Sequence, residues 1–393
     1  MPDDIAFETL CAHAGESAVG SFASVAPQLH LASVFETPSL DAADRAISGD
    51  PDAYIYSRDA NPTVVALERA VASIDGAEAA VATSSGMAAT AAIFLALLSS
   101  GDSVLVAREL YGATVALLAG PLAKFGVDAD SADVTDVASF EAAMRPNTRI
   151  VFVETMSNPL MRIADIPALA AVAHRHGALL AVDASFTSPV LSQPIAQGAD
   201  LVVHSATKYL SGHSDVMAGV VTGAASLIGE IRAARKLFGP ICSPLDAWLT
   251  LRGIKTLPLR MAAHSANASG AAAYLARHEK VRRVFHAGLP DETQHALASR
   301  LFPHGTGGML AFEIDGGRAS VDRFLGALSM IRFAASFADV TTTISHPGLT
   351  SHRGFTADER AALGISDGLI RLSAGIEALP DICDDLERGL AAV

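Results

Sequence analysis

Lys208 lies in the run Val203-His204-Ser205-Ala206-Thr207-Lys208-Tyr209-Leu210-Ser211-Gly212-His213, where the residue types change abruptly. Ala199-Asp200-Leu201-Val202-Val203-His204, entered through Gly198, has the short, branched, apolar make-up of a buried strand. Small hydroxyl residues, a lysine and a glycine follow it. Open α/β sheets bind ligands at that carboxyl edge. Ser205 and Thr207 stand just before the amine, as a site gripping a phosphate would arrange them. An amine so placed can hold an aldehyde cofactor as a Schiff base, and pyridoxal phosphate is the candidate. A strand-closing lysine is also a common solvated surface group, so the reading needs further residues beside it.

Asp183 closes a second apolar run, Ala178 to Val182. A carboxylate there could pair with the pyridine nitrogen of such a cofactor and keep the ring an electron sink, although Asp is also frequent in turns and caps. Ser84-Ser85-Gly86-Met87 opens an apolar helix whose first backbone N–H groups suit a phosphate; a plain serine cap has the same appearance. Tyr111 follows another strand and could stack on a ring and move protons, or sit as an ordinary tyrosine at the core's rim. Tyr56-Ser57-Arg58 offers an arginine able to fork onto a phosphate, its own or a neighbouring subunit's. Arg371, flanked by Ile370 and Leu372, must pair with something: a substrate α-carboxylate or a structural acid. His13, His204 and His213 share no ligand spacing, and no metal is expected.

The elements that must position these residues follow from periodicity. Residues 1–60 show little of it and read as an extended arm. Val64 to Ile74 and Gly86 to Leu98 read as helices, Ser103 to Ala107 as a strand. Further strands are expected at Ile150–Glu154, Ala178–Asp183, Leu201–His204 and Val216–Thr222, with a helix from Ile166 to His176 ended by Gly177. Short apolar strands alternating with helices mean a mostly parallel sheet covered on both faces. Pro258 breaks the pattern. An Ala-rich helix from Met261 to about His278, a strand at Gly308–Ile314 and a closing helix at Asp381–Ala391 then suggest a smaller α+β unit. The expected organisation is an arm over 1–60, an α/β cofactor domain over 61–257 and an α+β domain over 258–393.

Composition narrows the function classes. The 393 residues carry 28 Lys plus Arg against 42 Asp plus Glu, a formal net charge of −14, which repels phosphate backbones. Nucleic acid is not an expected partner. Cys11, Cys242 and Cys383 lie far apart with no CxxC spacing, consistent with reduced thiols in a cytoplasmic protein. Met1-Pro2-Asp3-Asp4-Ile5 lacks a signal-peptide pattern, and the apolar run from Met87 to Leu98 is too short to cross a bilayer, which takes about 20 residues. The expectation is a soluble protein with no membrane partner.

Taken as an ordered set, these motifs resemble the Cys/Met-metabolism (trans-sulfuration) family of fold-type I PLP enzymes. The matching stretches are Tyr56-Ser57-Arg58 with Asn61-Pro62-Thr63, Ser84-Ser85-Gly86-Met87-Ala88, Glu154-Thr155 with Asn158-Pro159, Val182-Asp183, and Ser205-Ala206-Thr207-Lys208-Tyr209 with Gly212-His213. Pro244-Leu245-Asp246-Ala247, Arg252-Gly253-Ile254-Lys255-Thr256-Leu257 and Arg371-Leu372-Ser373 complete it. The resemblance implies that Lys208 carries the cofactor and shuttles protons at Cα and Cβ, and that Tyr111 stacks on the ring as acid–base. Asp183 pairs with the pyridinium. Gly86, Met87, Ser205 and Thr207 hold the phosphate, with Tyr56 and Arg58 reaching from the adjacent subunit. Asn158 and Arg371 contact cofactor and substrate, Arg371 taking the α-carboxylate with help near Ser336. The implied assembly is a dimer paired into a homotetramer.

The implied reaction is γ-elimination, as a carbon–sulfur lyase, on a small sulfur-containing or homoserine-derived amino acid. The alternatives are γ-replacement of the cystathionine γ-synthase or O-acylhomoserine sulfhydrylase type, an aminotransferase, or a catalytically silent PLP-binding protein. Several positions depart from family habit: Ala184-Ser185 for Asn-Thr, Ala60 for Gly, Ala113 where methionine γ-lyases carry Cys, Thr341 where cystathionine-handling members carry Glu, and Lys236 for a more polar or acidic residue. The His346-Pro347 turn looks more like methionine γ-lyases and homoserine-ester sulfhydrylases. These departures point toward an unusual substrate.

Overall fold

The computed structural model describes residues 5–16, 24–50 and 52–393. The Met1-Pro2-Asp3-Asp4 start read above lies outside them. In chain order the strands are β1 (Ala79–Thr83), β2 (Ser103–Ala107), β3 (Asp128–Ala132), β4 (Thr148–Glu154), β5 (Leu179–Asp183) and β6 (Leu201–Ser205). They continue with β7 (Gly219–Gly223), β8 (Val281–Phe285), β9 (Met309–Ile314), β10 (Arg332–Phe333), β11 (Thr343–Ser345) and β12 (Leu369–Ser373). The chain forms two compact units, Met1–Ser99 with Gln193–Leu257, and Ser100–Ser192 with Pro258–Val393.

In the first unit β7 lies antiparallel to β1 on one side and to β6 on the other. The helix Pro62–Asp75 packs on β1. Its ends are set locally: the Asn61 side chain accepts from the Thr63 N–H, Pro62 starts the helix, and Gly76 stops it at φ +67. The helix Gly86–Leu97 begins where the Ser85 hydroxyl accepts from the Ala88 N–H. On β6, His204 is buried and bonds through Nε2 to Asp75, which also accepts from the Thr222 hydroxyl at 2.7 Å. A polar residue survives in this core because each partner satisfies the next.

The arm is not extended throughout. Helices occupy Phe7–Ala12 and Leu40–Ile47, the second opened by Ser39, whose hydroxyl accepts from the Ala42 N–H. Both are too short for their apolar positions to stand out from the surrounding sequence. The stretch Tyr56–Ala60 is tied down from behind, with the Arg235 guanidinium donating to the Arg58 and Asp59 carbonyls at 3.2 and 2.8 Å.

The second unit holds four parallel strands in the order β5-β4-β2-β3. Buried β2 and nearly buried β4 are rich in Val, Leu and Ile, as strands covered on both faces should be. A five-stranded sheet, β10-β11-β12-β9-β8, completes the unit. Leu310, Phe312, Phe324, Ile370, Leu372 and Leu386 form its core beneath the closing helix Leu379–Ala391. Five strands escaped the periodicity reading: β1, β3, β8, β10 and β11. In β1, Ala-Ala-Val-Ala-Thr has little β propensity. In β3, Asp-Ala-Asp-Ser-Ala lies at the edge, mostly exposed, with no apolar alternation to detect. Pro258 does not break an element; it falls in the first turn of the helix Leu257–Leu275, where proline is tolerated.

Candidate active site

Lys208 stands in the turn that follows β6, half-buried, with its N–H on the Ser205 carbonyl at 3.0 Å and its own carbonyl accepting from Gly212 at 2.8 Å. These bonds fix the backbone under the amine. Ser205 ends the strand. Gly86, the first residue of the helix Gly86–Leu97, comes so close that a Cβ on it would meet the Ser205 Cβ at 2.8 Å and its Oγ at 3.0 Å. Helix start, strand end and lysine turn therefore crowd one corner of the first unit. Thr207 is anchored beside them, its hydroxyl accepting from the Ala218 N–H at 3.1 Å and donating to the Ala218 carbonyl at 3.3 Å.

That corner fits a phosphate. The first N–H groups of the helix and the hydroxyls of Ser205 and Thr207 meet there, because the missing side chain of Gly86 lets the helix start pack directly on the strand end. To take part, Thr207 must turn its proton from the long bond to Ala218 toward the anion. Tyr56 and Arg58 stand exposed on the arm, the Arg58 guanidinium 5.2 Å from the centre of the Tyr56 ring.

In the second unit, Asp183 ends β5 in register with Glu154 at the end of β4. The Asp183 carboxylate accepts from the Ser185 N–H at 2.8 Å. Tyr111 precedes the helix Gly112–Leu117; the residue is 44 % exposed while its N–H donates to Glu154 Oε1 at 2.7 Å. Burial, and then Asp183 beside it, pushes the Glu154 carboxyl well above the ordinary carboxylate range, against the opposing pull of the Tyr111 N–H.

Asn158, Ser336 and Arg371 come together in the same unit. Arg371 on β12, only 5 % exposed, donates from Nη1 to the Asn158 side-chain oxygen at 2.9 Å and from Nη2 to the Ser336 carbonyl at 3.1 Å. Its guanidinium lies 5.6 Å from the centre of the Phe337 ring, which in turn packs on Phe186 at 4.6 Å. Asn158, the Ser336 carbonyl and an aromatic face thus orient a buried guanidinium, the side chain best shaped to fork onto a carboxylate. His352, buried and held at about 4 by desolvation and then by Arg371 and Arg360, adds no second cation near neutral pH.

Sequence reasoning overlooked Glu154 as an anchor, Phe337 as the aromatic face beneath Arg371, and Arg235 as the tie on the arm. Glu154 had one visible signal, a lone acid ending the apolar run Ile150-Val151-Phe152-Val153. The other two had none.

Comparison with known proteins agrees with this chemistry. The family model described as Cys/Met metabolism PLP-dependent enzyme matches residues 8–391. The chain is 43% identical to O-succinylhomoserine sulfhydrylase of Pseudomonas aeruginosa, covering 99% of this chain and 96% of that one. It is 42% identical to L-methionine γ-lyase of Pseudomonas deceptionensis, covering 98% of each. Among solved structures it resembles cystathionine γ-synthase of Xanthomonas oryzae pv. oryzae in complex with aminoacrylate and cysteine, with a TM-score of 0.93, 38% identity, and coverage of 99% of this chain and 98% of that one. The chain belongs to the Cys/Met-metabolism family of PLP-dependent enzymes. Its fold is theirs, a mostly parallel sheet flanked by helices with a second, smaller sheet domain, and its cofactor is pyridoxal phosphate.

Proposed function

We propose that the enzyme catalyses γ-elimination on a small sulfur-containing or homoserine-derived amino acid. The observation that carries the amino-acid reading is the buried Arg371 guanidinium, whose plane Asn158 and the Ser336 carbonyl fix in an orientation suited to forking onto an α-carboxylate. γ-Replacement stands as the second reading, supported by the similarity to O-succinylhomoserine sulfhydrylase.

Pyridoxal phosphate, when bound, supplies an electron sink for charge developing at Cα. The remaining work falls to this chain's side chains. Lys208 would hold the cofactor through its amine, and the same amine, once free, would move protons at Cα and Cβ of the substrate. Asp183 keeps the ring nitrogen protonated. Tyr111 covers the ring and moves a proton at the leaving group. Gly86, Met87, Ser205 and Thr207 grip the phosphate, and Tyr56 and Arg58 complete that grip in a neighbouring subunit. Arg371 orients the α-carboxylate. Departure of the γ-substituent with a proton, followed by uptake of one water, then gives a 2-oxo acid and ammonia, whereas a nucleophile entering at Cγ in place of the departed group gives the replacement product.

This reading assigns cofactor binding to residues 61–257, the smaller domain to 258–393 and subunit crossing to the arm 1–60, in a cytoplasmic homotetramer. The deciding experiment incubates the enzyme with methionine, homocysteine and an O-acylhomoserine, with and without sulfide. 2-Oxobutanoate formed without added thiol supports elimination. Thiol product formed only with sulfide overturns it in favour of replacement.

A further inference from the structure

Tyr111 has an unusual anchorage for a residue asked to cover a ring. The residue is nearly half exposed, so the backbone has a large part in deciding where the ring stands. That backbone is held on two sides. Its N–H donates to Glu154 Oε1 at 2.7 Å, and the following Gly112 lies so close to the Ser351 carbonyl that a Cβ would come within 2.6 Å of it. Glu154 is itself fixed as the last residue of buried β4, 7 % exposed.

We propose that Glu154 is a positioning residue, which sets the stacking place of Tyr111 by gripping its backbone N–H. The inference rests on the reading that Tyr111 covers the cofactor. An acid was not the obvious choice for this task, because Asp183 is its register partner on β5 and two carboxylates would repel. Burial resolves the conflict by favouring the neutral form of Glu154. The Tyr111 and Asn158 N–H groups oppose that shift, and burial outweighs both. A neutral Glu154 spares Asp183 a like charge beside it. Glutamine keeps the oxygen that accepts from Tyr111 and carries no charge. Aspartate keeps the acid and loses the reach.

The test compares Glu154→Gln, Glu154→Asp and Glu154→Leu as holoenzymes by visible circular dichroism of the bound cofactor, cofactor dissociation constant, and kcat and KM separately. Glu154→Gln should stay within about fivefold of the parent in kcat with an unchanged dichroic band. Glu154→Asp and Glu154→Leu should lose about 10²-fold in kcat, the scale of a displacement of about 1 Å, with a diminished band and little change in KM. Wild-type kcat and dichroism in Glu154→Asp, or a Glu154→Gln as damaged as Glu154→Leu, overturns the assignment. Should Glu154→Leu not fold, the Gln–Asp pair decides. If the parent enzyme shows no visible band at all, the cofactor reading has failed; a normal parent with indifferent variants removes only the role of Glu154.

Discussion

The Arg371 guanidinium donates to the Asn158 side-chain oxygen at 2.9 Å, joining residues 213 positions apart. With the Ser336 carbonyl on the other nitrogen, the bond fixes the guanidinium plane before any substrate arrives. A fork set in advance loses less freedom on binding than a flexible cation.

Arg371→Lys should therefore be costly although it keeps the charge. A lysine offers a point charge and cannot meet Asn158, Ser336 and a carboxylate together. Losing a charge-assisted hydrogen bond predicts a fall of about 10- to 100-fold in kcat/KM, with the cofactor's visible absorbance unchanged. An amine substrate lacking the carboxylate should barely distinguish the two proteins, and equal losses on both substrates would remove the carboxylate role.

Lys208→Ala should abolish covalent capture of the cofactor and lower turnover by roughly 10²–10⁴, the usual worth of a positioned proton carrier. Borohydride reduction followed by peptide mapping should label Lys208 in the parent protein. A label on another lysine would relocate the site.

Gly86→Ala tests the phosphate corner through packing alone. The new methyl would press on Ser205 at 2.8 Å, so the helix start must shift from the strand end. Cofactor titration of the apo protein should show at least about tenfold weaker binding, equivalent to about 1.4 kcal/mol. Unchanged affinity would place the phosphate elsewhere.

His204, Asp75 and Thr222 form a buried polar group beneath the strand that leads to Lys208. Removing one member of a buried pair strands the other, at a cost of about 3–5 kcal/mol. His204→Leu should lower the urea midpoint sharply, while Asp75→Asn, which retains hydrogen-bonding atoms, should lower it less. Equal midpoints for His204→Leu and the parent protein would contradict the account.

Acid should destabilise the fold through two histidines. Burial holds His286 at about 4, and burial with Arg371 and Arg360 holds His352 at about 4, below an unfolded value of about 6.5. Their contribution is complete above about pH 6.5 and is lost as pH falls toward 4, about 1.4 kcal/mol per pH unit for each. Glu154 runs the other way: its raised value gives stability present below an unfolded value of about 4.3 and lost as pH rises through the folded one. Urea titrations at about pH 7 and pH 5 should show a shallower loss for His286→Gln and a steeper loss for Glu154→Gln. Parallel slopes in all three proteins would contradict these shifts.

Local chemistry wrote much of this enzyme into its sequence. The buried strands around Val104, Val151, Leu180 and Val202, the glycine and serine that open the helix at Gly86, and a lysine and an aspartate at strand ends are all legible, because each depends on neighbours a few residues away. Tertiary structure decided the rest. Glu154 meets the Tyr111 N–H 43 residues back, and Arg371 reaches Asn158 across most of the chain, so no window of sequence contains either bond. Exposed β3 shows no apolar alternation because an edge strand buries too little to need one. The residue types announce what chemistry is possible. Which backbone group each buried side chain grips is settled only when distant strands pair in register and exclude water.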